Sequence, residues 1–465
     1  MLDAADLISF GNASIVAPAG HGKTEIIANV AAFGRRALIL THTNAGVHAI
    51  RSRMKRLRVA HSSVAVDTIA GWCMRYVHAF PGVAKPPPDM PKSGAEWEQL
   101  YRGAALALQV AAIRDVVACS YDRILIDEYQ DCGASQHALA VALSGIVPTL
   151  VFGDPMQGIF EFAGATLKWG DEIHPNFPLA GTLLTPHRWN GKNPALGAWI
   201  AETRVKLING EAIDLADPRV TYRESNDAFD MATLFEGLKG KEGSFAAIHC
   251  NKRICYGLAK AASGGYQAIE EVAAGRLAAF AIAWDRTPGA DGRLCAITAL
   301  LADCFQKKNL AEGETVDVDA AEMDAALSEI EIGLGVSNGA EAAARFLGLF
   351  RKRGLWKLHR SELWRDAERA VSELAEERSK TMVDAAGSIR QRVSNSGRKL
   401  PRRTVSTPLL LKGLEFDHVV VPDATHFAKE SKAQAKLFYV AISRATQSLT
   451  ISSSSRWLIL PPPSF

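Results

Sequence analysis

Cysteine is scarce and scattered in this chain. The seven in 465 residues (Cys73, Cys119, Cys132, Cys250, Cys255, Cys295 and Cys304) form no C-x-x-C pair and have no second pair at zinc-ligand spacing. That argues against a disulfide framework and a structural zinc site, and leaves reduced, mostly buried thiols. No apolar run approaches the roughly 20 residues of a membrane span. Met1-Leu2-Asp3 opens too polar for a signal peptide, so a cytoplasmic location is expected. Net charge is nearly missing too, at +3. Composition therefore neither demands nor excludes nucleic acid, and any such partner has to be argued from where the basic residues lie. No repeat recurs at a fixed period. One local absence is informative: no acidic residue occurs from Ala385 to Leu414, whereas Arg390, Arg392, Arg398, Lys399, Arg402, Arg403 and Lys412 all do. Such a strip suits contact with a phosphate backbone, and equally a flexible solvated loop. What remains is ordinary for a globular protein, 48 % hydrophobic and 22 % charged, and long enough for two or more domains.

The stretch that stands out is Ala17-Pro18-Ala19-Gly20-His21-Gly22-Lys23-Thr24, between the apolar Ile15-Val16 and a helical pattern of Ile26, Ile27, Val30, Ala31 and Phe33. A strand feeding a glycine-containing turn that opens a helix aims backbone N–H groups and the helix dipole at one spot. It reads as a phosphate-binding loop, with Lys23 reaching the β- and γ-phosphates and the Thr24 hydroxyl on Mg²⁺.

Further along, Ala37–Leu40 reads as a short buried strand ending at Thr41-His42-Thr43-Asn44, followed by a helix with Val47, Ile50, Met54 and Leu57 on one face. Pro86-Pro87-Pro88-Asp89-Met90-Pro91 is a stiff break inside a small helical insertion over 72–120. Arg123–Ile126 is another buried strand, and it delivers Asp127-Glu128-Tyr129-Gln130-Asp131 where an open α/β sheet places its chemistry. With a phosphate loop upstream, Asp127 is expected to bind Mg²⁺ and Glu128 to orient or deprotonate the attacking water. A strand at Thr149–Phe152 ends in Gly153-Asp154-Pro155-Met156-Gln157, with Gln157 placed to touch the γ-phosphate. Phe160 and Phe162 follow; either is core or, for Phe162, a base-stacking platform. Leu183–Trp189 marks a crossover to a second lobe, whose strands are expected at 246–249, 419–421 and 449–451. An Ala-, Leu- and charge-rich region between them carries helical periodicity at Ala343, Phe346, Leu347 and Phe350.

Seven stretches taken in order, APAGHGKT, LTHTNAGVHAIRSRM, DEYQD, FGDPMQGIFEFAGA, the HRW crossover, STPLLLKGLEFDHVVV and LFYVAISRAT, resemble the superfamily 1 helicases of the UvrD/Rep/PcrA type. The resemblance implies an α/β fold of two RecA-like lobes, parallel sheets flanked by helices, with a small helical insertion in each. By it the first motor lobe is 1–71 and 121–188, the second 189–260 and 391–465, and the insertions 72–120 and 261–390. It implies ATP and Mg²⁺ in a cleft between lobes, with Arg188 and Arg444 stabilising charge on the transferring phosphoryl group. Glu415 would bond the ribose, Gly413 would lie near the γ-phosphate, and His187 would take the place of an adenine-stacking aromatic. His42, with Thr43 and Asn44, together with Thr68, Phe162, Thr407 and Lys412, would face DNA. Tyr439 is expected to pack. The implied activity is ATP-driven 3′ to 5′ translocation on single-stranded or tailed DNA.

The departures from that pattern lie on the adenine and DNA sides. No glutamine precedes Gln99, Glu25 stands where relatives commonly carry arginine, Leu409 replaces a histidine, and Ala163 replaces an arginine. The short insertions resemble the compact UvrD-like subunit of Gabija-type anti-phage systems, which works beside a TOPRIM-type nuclease. The alternative is a DNA-sensing regulatory ATPase subunit that controls a partner nuclease and unwinds little.

Overall fold

A computed structural model describes residues 2–465 except 61, 88–90, 92, 160–166, 226, 231–234, 236, 237, 239, 263, 264, 269–272, 308–327, 353–355, 359 and 397–400. The chain divides into two units, residues 1–226 with 411–465, and residues 227–410.

The first unit is built on a parallel sheet of six strands: β1 (Ala13–Val16), β2 (Ala37–Thr41), β3 (Val64–Thr68), β4 (Arg123–Ile126), β5 (Thr149–Gly153) and β6 (Leu179–Thr182), in spatial order β3-β2-β4-β5-β1-β6. Its central strands are unbroken apolar runs because both faces are covered; every residue of β2 and β5 is buried. Alternate side chains serve opposite faces. Leu38, Leu40, Ile124 and Ile126 pack into one core with Trp72, Leu100 and Leu139. Ile39, Leu125, Leu150 and Phe152 pack into the other with Ile27, Val30, Val47 and Ile50.

The stretch expected as a helical insertion holds the helices Ile69–Ala79, Pro81–Ala84, Gly94–Ala107 and Ala111–Ser120. Pro86–Pro91 falls between them, partly outside the described residues. The edge strand β3 goes beyond the expected strands. Its Ala65 is exposed and its Asp67 half-buried, so it lacks the apolar run that betrays a central strand.

The same unit contains the short β7 (Ile213–Asp214), β8 (Thr221–Glu224), β14 (Phe416–Val421), β15 (Ala445–Ser453) and β16 (Trp457–Leu458). β14, β15 and β8 run parallel in that order, and β16 pairs antiparallel with β7.

The second unit carries β9 (Phe245–Ile248), β10 (Gln267–Ala268) and β13 (Arg403–Ser406), parallel in the order β10-β13-β9. The other regular elements described in this unit are helices and a small antiparallel pair of β11 (Phe305–Lys307) and β12 (Trp356–Leu358). Ala343, Phe346, Leu347 and Phe350, all on the helix Ala340–Lys352, are buried there beside Trp364, Ile297 and Leu277. The fold class is the expected one, α/β with parallel sheets and flanking helices. All seven cysteines are free. Among the described residues no single helix is long and apolar enough to cross a membrane.

Candidate nucleotide site

The site is assembled where β1, β4 and β5 end. Beyond β1, Gly20 and Gly22 take positive φ, +76° and +82°. A Cβ on Gly20 would lie 2.7 Å from Arg188 Cβ, and one on Gly22 3.0 Å from His187 Cδ2, so side chains are excluded by backbone and by space. The helix Lys23–Phe33 opens there. Among the described residues the N–H groups of Gly22, Lys23 and Thr24 have no protein acceptor, which is the anion-binding end of a helix.

The Lys23 ammonium lies 2.9 Å from Asp127 Oδ1 and 2.5 Å from Glu128 Oε1. Burial lowers the Lys23 pKa, but the two carboxylates outweigh it and hold the ammonium above its ordinary value. Burial raises Glu128 while Lys23 and Lys412 pull harder the other way, so its carboxyl is held down to about 2. Burial dominates at Asp127 and raises it despite Lys23. Glu128 sits in the left-handed region at φ 56°, a costly backbone for a residue with a Cβ and one that recurs at working sites. Gln130 donates to Glu128 Oε2 at 2.5 Å and accepts from Asp154 N at 3.0 Å, which ties the end of β4 to the end of β5.

Asp154, just past β5, is 0 % exposed and organises the side chains around it. It accepts from Met156 N, from Gln157 Nε2 at 3.1 Å and from Arg204 Nη2 at 2.8 Å. With its amide nitrogen so held, Gln157 turns Oε1 toward Arg444 Nη2, 3.5 Å away. Arg444 is 1 % exposed and donates to Val440 O, Leu414 O and Ser443 Oγ. No carboxylate of the described residues pairs with it. Burial, and then repulsion from Arg188, bring its pKa down to about 9. An interior cation without a counter-ion is costly, and an incoming phosphate would supply one. Arg188 by contrast is paired, Nε 3.1 Å from Glu415 Oε2, and donates to Ser443 O at 2.6 Å.

Residues 17–24, Glu128, Gln157, His187, Arg188, Gly413, Glu415 and Arg444, singled out from sequence for the nucleotide, line one cavity of about 780 Å³. Asp127 lies beneath it, 5 % exposed. Tyr439, expected to pack, does so and also bonds the loop: its Oη accepts from Ala19 N at 3.0 Å. Its hydroxyl and the Asp154–Arg204 pair escaped sequence reasoning, and the available signal was the polar tip of a Tyr amid the apolar run Leu437–Ile442.

The residues expected to face DNA are dispersed. His42, Thr43 and Asn44 follow β2, and Thr68 ends β3. Thr43 and Thr68 cap the next helices, accepting from Gly46 N at 3.0 Å and Gly71 N at 2.9 Å. The Lys412 ammonium is taken up by Asp131, at 2.5 and 2.6 Å, and by Gln157 O at 2.7 Å. Thr407 follows β13 in the second unit, where Leu409 lies on a short 3₁₀ turn. Phe162 and Ala163 lie outside the described residues. Of the basic strip, Arg398 and Lys399 also lie outside them, and Arg390 and Arg392 are described in backbone only, on the helix Met382–Ser396. Arg402 donates to Gly243 O and Arg403 lies over the Phe245 and Tyr266 rings, all within the second unit.

The UvrD/REP helicase N-terminal domain model matches residues 92–178, and the UvrD-like helicase C-terminal domain model matches 405–452. In these two stretches the chain is similar to UvrD-like helicases. The two matches hold DEYQD and Gln157 on one side and Lys412, Gly413, Glu415 and Arg444 on the other, while residues 17–24, His187 and Arg188 fall outside them. Among solved structures, the complex of Arterivirus nonstructural protein 10 (helicase) with DNA is similar at 12 % identity and TM-score 0.27, over 51 % of this chain and 47 % of that one. The chain thus spans about half the length of that structure. No curated protein matches it in sequence.

His42 supports one prediction here. Its Nε2 lies 3.5 Å from Cys132 Sγ. Burial pushes its pKa down to about 4, opposed by Glu128 and reinforced by Lys412 and Lys23. The folded imidazole is therefore neutral while the unfolded one binds a proton near its ordinary value, so stability falls as pH drops from about 6.5 to about 4. In urea titrations across that range, His42→Gln should flatten this acid-side slope. An unchanged slope would show that the imidazole is not buried neutral.

Proposed function

We propose that this UvrD-like chain hydrolyses ATP with Mg²⁺ and uses the cycle to move along single-stranded or tailed DNA. The observation that carries the reading is Arg444, a buried cation without a carboxylate partner, held against Gln157 at the end of a cavity that also contains Lys23 and Glu128. That arrangement fits a triphosphate whose terminal group supplies the missing charge.

The residues present suit the metal as well. Mg²⁺ takes one or two protein oxygens beside phosphates and water, and the Asp127 carboxylate, 2.9 Å from the Lys23 ammonium, offers one here. Thr24 and Asp127 would hold it, and bound there it would neutralise charge on the β- and γ-oxygens. Lys23 would leave the two carboxylates for the phosphates. Glu128, freed of that cation, would gain basicity and take a proton from the attacking water, oriented by Gln130. Gln157 would register the γ-phosphate, and Arg444 with Arg188 would offset charge as it develops.

Movement from 3′ to 5′, with His42, Thr43, Asn44, Thr68, Phe162, Thr407 and Lys412 along the strand, follows from the family pattern. So does service in an anti-phage complex with a TOPRIM-type nuclease, which the compact insertions favour. Steady-state phosphate release should rise at least about tenfold with single-stranded DNA, as expected if strand binding completes the catalytic constellation. Turnover indifferent to DNA would overturn the motor reading.

A further inference from the structure

The sheet of the first unit ends at β3, and among the described residues no strand pairs with its outer side. β2 and β3 run parallel with Ala37 opposite Val64, and Ala37 N donates to Ser63 O at 2.9 Å. Ser63, Ala65 and Asp67 therefore turn their N–H and C=O groups toward β2, and Val64 and Val66 turn theirs away, as does Thr68 its N–H. Two of these outward groups are taken: Arg51 Nη2 donates to Val66 O at 2.8 Å, and Thr68 N donates to Asp67 Oδ1 at 2.7 Å. Val64 N–H, Val64 C=O and Val66 N–H have no partner among the described residues. They border a groove of about 470 Å³ that straddles the strand. Arg51, Met54 and Val59 line it from one face of the sheet, and Ala65, Asp67 and Arg75 from the other.

We propose that β3 accepts one more strand, an extended acidic segment of a partner protein. An added strand supplies what the edge lacks, acceptors for the N–H groups of Val64 and Val66 and a donor for Val64 O. Its side chains alternate between the two faces, so apolar ones cover Met54 and Val59 while their neighbours stand over Ala65 and Arg75. Charge sets the kind of segment. The helix Asn44–Arg56 carries Arg51, Arg53, Lys55 and Arg56 and no acidic residue, and Asp67, the one carboxylate of the groove's lining, is already held by Arg75. A DNA backbone fits this edge less well, since phosphates bring acceptors but no donor for Val64 O and leave the apolar floor uncovered. The groove takes no part in the nucleotide chemistry proposed above, so the partner site stands or falls independently of it.

The test uses the full chain and a short end-blocked peptide of alternating valine and glutamate, with its valine–lysine counterpart and oligo(dT) as controls. In fluorescence anisotropy the acidic peptide should bind saturably below about 1 mM, and the lysine peptide should not. Binding should slow amide exchange at Val64 and Val66 at least about tenfold, read by mass spectrometry with fragmentation. Val64→Pro should weaken binding about tenfold or more, because it removes an outward N–H at the first position of an edge strand, where proline breaks no ladder bond. Its phosphate release should match that of the parent. Arg75→Ala should weaken binding up to about fivefold, an effect that fades as salt is raised. Absence of saturable binding, equal binding of the lysine peptide, exchange at Val64 and Val66 unchanged by the acidic peptide, or full binding by a folded Val64→Pro variant would each overturn the proposal. Slowed exchange at those two amides with oligo(dT) but not with the acidic peptide would overturn it too, by giving the groove to nucleic acid.

Discussion

Arg444→Ala should lower ATP turnover by about 10³–10⁵, the loss seen when an arginine finger is removed from a motor that depends on it. The reason lies in the geometry around the guanidinium. It is buried, aimed by Val440 O, Leu414 O and Ser443 Oγ, and left without a carboxylate. Its placement is thus complete before a nucleotide arrives, and little reorganisation is charged to the chemical step. Arg444→Lys should recover little, because an ammonium cannot keep three fixed contacts and still face Gln157. Single-turnover hydrolysis with pre-bound ATP separates this loss from weaker binding. A turnover within tenfold of the parent would remove Arg444 from the mechanism.

Glu128→Gln should lower turnover by roughly 10²–10⁴, the range for losing a general base, while ATP still binds. The amide keeps the shape of the carboxylate and its contact with Gln130 but cannot take a proton. The variant also removes one of the two anions that hold Lys23, so binding of the β- and γ-phosphates should hold steady or tighten. Equilibrium binding of a fluorescent ATP analogue, beside phosphate release, reads both consequences. Loss of binding in step with turnover would assign Glu128 to ground-state contacts instead.

Much of this arrangement was legible in the chain, for reasons that differ by element. β1, β2, β4 and β5 announce themselves because a parallel strand covered on both faces must be apolar throughout, and the polar residues where each ends are conspicuous by contrast. The helical insertion of the second unit was legible through a simple period, since Ala343, Phe346, Leu347 and Phe350 face one core. β3 was not, because an edge strand with Ala65 exposed and Asp67 half-buried keeps no such run. At the site, residues that stand at strand ends could be named in advance. Those whose meaning depends on a distant partner could not: Tyr439 Oη meets Ala19 N across 420 positions, and Lys412 meets Asp131 across 281. Spacing says nothing about such pairs, and only the folded sheet brings them together.

The Tyr439–Ala19 bond has a thermodynamic corollary. A phenol on the helix Gln434–Ile442 shares its oxygen with the loop that would close on phosphate, so the two segments have a single settled arrangement between them. By reciprocity, whatever free energy an occupied loop lends to the seating of that helix, a firmly seated helix returns to the loop as affinity. The far end of the chain therefore acts as a tuning peg for the near end, adjustable by a hydroxyl that touches no substrate.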